Sequence, residues 1–292
     1  MNKSFSRTVA TKIFLQNENT KIFLLVGPCR SGTTAFQRVF GEVGIESWYQ
    51  PIKTIIRGGN HEKDYSFEIP DIPKVMLKET LGPFPGEETC FNPIEILMEA
   101  GVAKENIHLL TITREPISTA CSWLGIGDQR AERRVNSIGN LVRCYENIIR
   151  LIAYTEEHAI SHTPYVYELL RDNDPEVVRR LLLDELGIAY TEDRVNWSEL
   201  PSVEMPTRFN KFIGEDENYL DIGLHTKLNQ SSGLTYYGKS INELTKYVDD
   251  SLLSLLINGG VFCFYHTHKE MCSARFGLPI KDADIPVRLT QR

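Results

Sequence analysis

Nowhere in the 292 residues do eighteen apolar residues run together, and the opening MNKSFSRTVATKIFLQNENT holds no apolar stretch long enough for a secretory signal. Neither a membrane partner nor export is expected, and a cytoplasmic location is. Positive charge is also short: 32 Lys and Arg against 39 Asp and Glu leave a formal charge of −7. No overall field draws polyanions in, so a nucleic-acid partner is not expected and any anion site must be local. The cysteines at 29, 90, 121, 144, 263 and 272 form no CxxC pair. In a chain of this size they suit reduced thiols rather than a disulfide framework. Internal repeats and low-complexity tracts are missing too. With 41% hydrophobic residues, the chain can bury the core of one ordered domain over 1–292. Its composition sets no oligomeric state.

What the chain does have is an alternation of short apolar runs and helical patterns. Strands are expected at Ile22 to Val26, Val75 to Leu77, Ile107 to Thr113 and Tyr165 to Tyr167. Phe36, Val39, Phe40 and Val43 follow the i, i+3, i+4, i+7 rule and stop at Gly44, while Ile138, Leu141, Val142, Tyr145, Ile148 and Ile152 mark a longer helix. A third helix carries its own punctuation, with Asp174 as N-cap, Pro175 at the first helical position and Gly187 past the end. Alternating strands and helices imply an α/β fold, with a central, mainly parallel sheet flanked by helices in three layers. Stretches 50–73 and 201–238, rich in Gly, Pro, Asn and Asp, read as irregular segments shaping a substrate mouth.

Residues 27–34, GPCRSGTT, join the first of these strands to the first helix. A strand, a glycine loop and a helix N-terminus in succession hold anions, through outward backbone N–H groups and the helix dipole, and they indicate a P-loop fold. Ser31, Thr33 and Thr34 add hydroxyls. The ATP-binding loop GxxxxGK[ST] keeps a lysine after its second glycine. Here Gly27 and Gly32 keep the glycine spacing, but Thr33 stands at the lysine position and the cation is Arg30 inside the loop. IHLLTITREP ends in Arg114, where a metal-dependent nucleotide site tends to place an aspartate. Two arginines at strand ends point to a ligand with two separate phosphate groups and no required metal.

CRSGTT followed by a helix resembles the 5′-phosphosulfate loop of sulfotransferases that use 3′-phosphoadenosine 5′-phosphosulfate (PAPS). In REPISTACS, Arg114 and Ser122 are similar in spacing to the arginine and serine that bind the 3′-phosphate in that family, and YVYELL with the helix after it resembles its YEDL scaffold segment. The resemblance spans about residues 20–190 and leaves 191–292 as a divergent C-terminal part. It implies PAPS as cofactor, 3′,5′-adenosine bisphosphate as product, and a small-molecule or carbohydrate acceptor whose hydroxyl or amine takes the sulfuryl group. It also implies that Arg30, Ser31, Gly32, Thr33 and Thr34 surround the 5′ side while Arg114 and Ser122 hold the 3′-phosphate. The pattern departs at Ala35, where a large residue often packs on the adenine. It departs again at the missing C-terminal glycine and lysine motif, for which Lys227 and Lys239 are loose substitutes.

Sulfuryl transfer needs a base for the acceptor proton, cations on the sulfuryl oxygens and an in-line arrangement. Arg30 supplies one cation. In KVMLKETLGPF, Lys78 matches the family's lysine, and Thr80 stands where one branch has its histidine base. Some carbohydrate sulfotransferases use a glutamate base, so the resemblance makes Glu79 the candidate, with its pKa raised by partial burial, and Lys78 would steady the transferring group. A plain surface Lys and Glu closing a strand is the competing interpretation. His61, in GGNHEKDY, is the alternative base.

Other features are discounted. Cys263, His266, His268 and Cys272 lie close in sequence, but their spacing matches no common structural zinc site, and CFYHTH looks partly like a strand. Arg130, Arg133 and Arg134 read as a solvated helix face, and Tyr236 and Tyr237 as either acceptor-stacking or packing residues. Two other functions stay open: a nucleotide-binding relative without chemistry, and an ATP-dependent P-loop phosphotransferase.

Overall fold

The computed structural model describes residues 3–60, 62–84, 86–126, 131–190, 211–214, 230–231, 233–238 and 247–282. Strands β1 (Ile13–Leu15) and β4 (Phe67–Ile69) form a separate parallel pair. The main sheet holds β2 (Lys21–Pro28), β3 (Glu46–Tyr49), β5 (Lys74–Leu81), β6 (Ile107–Thr113) and β7 (Ser161–Val166). Its order is β3-β5-β2-β6-β7, and every pair in it is parallel. Strands covered on both faces need apolar side chains in both directions, which is why Ile22 through Val26 read as an unbroken apolar run.

Alternate residues of the sheet feed two cores. Ile22, Leu24, Val26, Val75, Leu77 and Leu109 pack with α1 (Lys3–Ala10), α3 (Pro51–Asn60), α4 (Pro93–Glu99), α5 (Pro116–Ile126), α6 (Ala131–His158) and α9 (Asp250–Asn258). Phe23, Leu25, Met76, Leu110 and Ile112 pack with α2 (Thr33–Glu42), α8 (Pro175–Glu185) and the short α7 (Leu169–Asp172). Helix α10 (Val261–Phe276) lies against β7 and contributes to both cores. The three-layer α/β architecture is therefore the one expected, and β2 stands at the sheet centre. Its carboxyl end is flanked by β5 on one side and β6 on the other, the crevice where open α/β sheets place ligands.

Local punctuation accounts for several boundaries. Asp174 accepts from the amides of Glu176 and Val177 with Pro175 behind it, and Gly187 follows the helix at φ 61°. The strand expected at Tyr165–Tyr167 instead runs from Ser161 to Val166. It contains Pro164, which an edge strand tolerates and a central one does not. Two expectations are corrected. The stretch 50–73 is not irregular, since it holds α3 and β4: Pro51 starts a helix whose Ile52, Ile55 and Ile56 are buried at helical spacing. CFYHTH lies in a helix, with Val261, His268, Cys272 and Phe276 buried on one side of it.

Candidate functional site

The loop after β2 is shaped by two close approaches. A Cβ on Gly27 would stand 2.3 Å from the carbonyl oxygen of Ile112, so the strand end can lie this near β6 only as glycine. Gly32 is the N-cap of α2 at φ 99°, and a Cβ there would meet the Tyr167 ring at 2.6 Å. Among the described residues no side chain caps α2, so its leading amides and dipole face the loop. Arg30 is half-buried at φ 72° within the turn. The Ser31 hydroxyl is buried and donates to the Pro28 carbonyl at 2.7 Å, which ties the turn together.

Lys78 and Glu79 lie inside β5, not beyond it, and both are buried, so they are not a surface pair. Consecutive strand residues point to opposite faces. Lys78 turns toward α2, where Nζ donates to Thr34 Oγ1 at 2.7 Å and lies 3.9 Å from the centre of the Tyr49 ring. Burial lowers its pKa to about 7. Glu79 turns toward α3, where its two oxygens accept from the amides of Ile52 and Lys53 at 2.7 and 3.2 Å. Burial raises this carboxyl to about 8, and those two amides oppose the rise. The expected pairing of both side chains at the 5′ edge is thus corrected: only Lys78 reaches the loop, while Glu79 caps a helix on the other face.

Across β2, Arg114 follows β6 and is nearly buried. Its Nη2 donates to the Tyr237 carbonyl at 2.7 Å, and the guanidinium lies over the rings of Tyr167 and Tyr236. Its buried Nε finds no hydrogen-bond partner among the described residues. Glu115 accepts from the amides of Ile117 and Ser118 and so caps α5. Ser118 and Ser122, one turn apart, are buried on that helix. Trp123 ties the same helix to the loop by donating to the Cys29 carbonyl at 2.6 Å. The loop therefore sits between two buried basic side chains, Lys78 on β5 and Arg114 just past β6.

A second cationic group escaped sequence reasoning. Lys53, 1% exposed, donates to the carbonyls of Thr80 and Gly82 and pairs with Glu88 at 3.2 Å, and Arg57 grips Glu88 with two hydrogen bonds. Burial holds Lys53 below the usual lysine range. It also works against ionisation of Glu88, but Lys53 and Arg57 outweigh it and lower that pKa. A polar residue beside the apolar stripe of Ile52, Ile55 and Ile56 was the available signal. Of the remaining candidates, Tyr236 packs on Tyr167 with centroids 5.0 Å apart. His268 is buried between Thr111 and Thr113, whereas Cys263 and His266 are exposed on α10. His61, Lys227, Lys239 and Arg130 lie outside the described residues, as do the side chains of Arg133 and Arg134. No described helix is long and apolar enough to cross a membrane.

No family model matches this chain, and no curated protein matches it. Among solved structures, the chain is similar to the crystal structure of mouse sulfotransferase SULT7A1 complexed with PAP, at 13% identity, over 90% of this chain and 94% of that one, with a TM-score of 0.46.

Proposed function

We propose that this protein is a PAPS-dependent sulfotransferase whose loop 27–34 receives the 5′-phosphosulfate and whose Arg114, with Ser122, receives the 3′-phosphate. The observation that carries this reading is the pair of buried basic side chains, Lys78 and Arg114, on opposite sides of the loop strand. A buried guanidinium nitrogen without a partner is costly, and a phosphate oxygen is its natural acceptor. In the reaction, the S–O bond to the 5′-phosphate breaks as a bond forms from sulfur to the acceptor oxygen or nitrogen. The α2 amides, Arg30 and Lys78 stabilise charge on the sulfuryl and bridging oxygens, with no metal in the scheme. Glu79 has both oxygens engaged by amides, and His61 is the other candidate for the acceptor proton in this scheme. The acceptor is a small molecule or a carbohydrate.

Magnesium-free thermal-shift titration tests the reading, because a ligand bound only by the folded state raises its stability. The bisphosphate should raise Tm without magnesium and magnesium ATP should not. The reverse pattern would instead support an ATP phosphotransferase. A nucleotide-binding relative without chemistry is favoured only by the capped state of Glu79. It would bind the bisphosphate yet fail to turn over PAPS across a broad acceptor panel.

A further inference from the structure

Arg114 and Glu115 share a peptide bond, and both polar atoms of that bond are held by buried side chains from distant elements. The Arg114 carbonyl accepts from the Tyr145 hydroxyl on α6 at 2.7 Å. The Glu115 amide donates to Glu168 Oε1 at 3.1 Å, just past β7. The second oxygen of Glu168 accepts from the Tyr265 hydroxyl on α10 at 3.0 Å. Tyr145, Glu115 and Glu168 are each 3% exposed or less. Glu115 caps α5 from the same peptide, so the start of the helix that carries Ser118 and Ser122 depends on where this one bond lies.

We infer that Glu168 is a positioning residue for the 3′-phosphate end of the site, fixing the Arg114–Glu115 peptide and, through it, both the Arg114 side chain and the start of α5, which carries Ser122. The inference rests on the function proposed above. A fully buried carboxylate is expensive unless its oxygens are satisfied, and here both oxygens are used to join β6, β7 and α10 at the point where Arg114 leaves the sheet. Burial raises the Glu168 carboxyl to about 7, and the nearby Arg114 guanidinium opposes that rise. Loss of Glu168 should therefore move one phosphate contact and leave the loop end, set by Gly32, Thr34 and Lys78, in place.

The readout is the affinity ratio of 3′,5′-adenosine bisphosphate to adenosine 5′-phosphate, measured by magnesium-free calorimetry. Glu168→Gln keeps an oxygen for the Glu115 amide and an amino group for Tyr265, so its ratio should match wild type. Glu168→Met keeps neither contact, and its ratio should fall about tenfold, with the affinity for the monophosphate unchanged. An unchanged ratio in Glu168→Met, or an equal loss for both nucleotides, overturns the inference. If that variant does not fold, Tyr265→Phe decides: a ratio lowered about threefold supports the inference and an unchanged one overturns it. A wild-type protein without preference for the bisphosphate removes the underlying function as well, whereas a wild-type preference that survives Glu168→Met removes only the role of Glu168.

Discussion

Lys78 Nζ lies 2.7 Å from Thr34 Oγ1, so a buried ammonium on β5 meets the first turn of the helix that follows the loop. Burial brings its pKa to about 7, and a bound anion must raise it. The sign follows directly. Below pH 7 Lys78 is already charged and binding takes up no proton. Above pH 7 binding takes one up, so affinity falls as pH rises. Bisphosphate affinity should drop between pH 7.5 and 9 by up to about tenfold per pH unit. Calorimetry in buffers of different ionisation enthalpy should register the proton uptake, and Lys78→Met should flatten the slope. An equal slope in that variant would assign the proton elsewhere.

Gly32 faces the Tyr167 ring at positive φ. Gly32→Val should abolish bisphosphate binding and cost about 1–3 kcal/mol of stability, because a β-branched residue is strained in the left-handed region and displaces the ring. Normal affinity in this variant, with denaturant midpoint unchanged, would mean that the loop does not approach a ligand.

Glu79 accepts two amides at the start of α3. Glu79→Gln keeps one acceptor and aims an amino group at the other amide, so stability should fall by about 1–3 kcal/mol while PAPS turnover per folded molecule stays near wild type. A loss of about 10²- to 10⁴-fold in kcat with unchanged stability would restore Glu79 as the base. His61→Ala is the matching variant and should lose turnover.

The layers and the site were unequally legible in the sequence. Ile22 to Val26 and Ile107 to Thr113 announced central strands because both faces of the sheet are covered, and Asp174, Pro175 and Gly187 act through local geometry alone. GPCRSGTT was readable as a strand, turn and helix start because the three are contiguous in the chain. The direction of Glu79 was not. It depends on β5 continuing to Leu81, which is decided by pairing with β2 along Lys21–Pro28 rather than by any residue of KVMLKETL. Helix α3 was hidden by Gly58 and Gly59 at its end. Tyr145, Glu168 and Tyr265 converge from three elements far apart in the chain, so no window of sequence contains them.

His268 bridges two threonines of β6: one ring nitrogen lies 2.8 Å from Thr111 Oγ1 and the other 2.8 Å from Thr113 Oγ1, while His162 shares Thr111. Burial lowers His162 to about 4 and His268 to about 3. Both are held neutral in the fold, so their contribution to stability is complete above the unfolded value near 6.5 and is lost as pH falls toward the folded values. His268→Asn should be less stable than wild type at pH 7.5. The gap should narrow by about 1.4 kcal/mol per pH unit between pH 6 and 5, as only wild type must hold that ring neutral. Urea midpoints across this range check it, and a gap independent of pH would show that His268 is charged in the fold.

The most direct measurement of the central claim is a crystal structure of the protein soaked with 3′,5′-adenosine bisphosphate without magnesium. The nucleotide should lie across the carboxyl end of β2, with its 5′-phosphate on the α2 amides and Lys78 and its 3′-phosphate on Arg114 and Ser122. A bisphosphate bound away from this edge, or bound there with its 3′-phosphate clear of Arg114, would contradict the account.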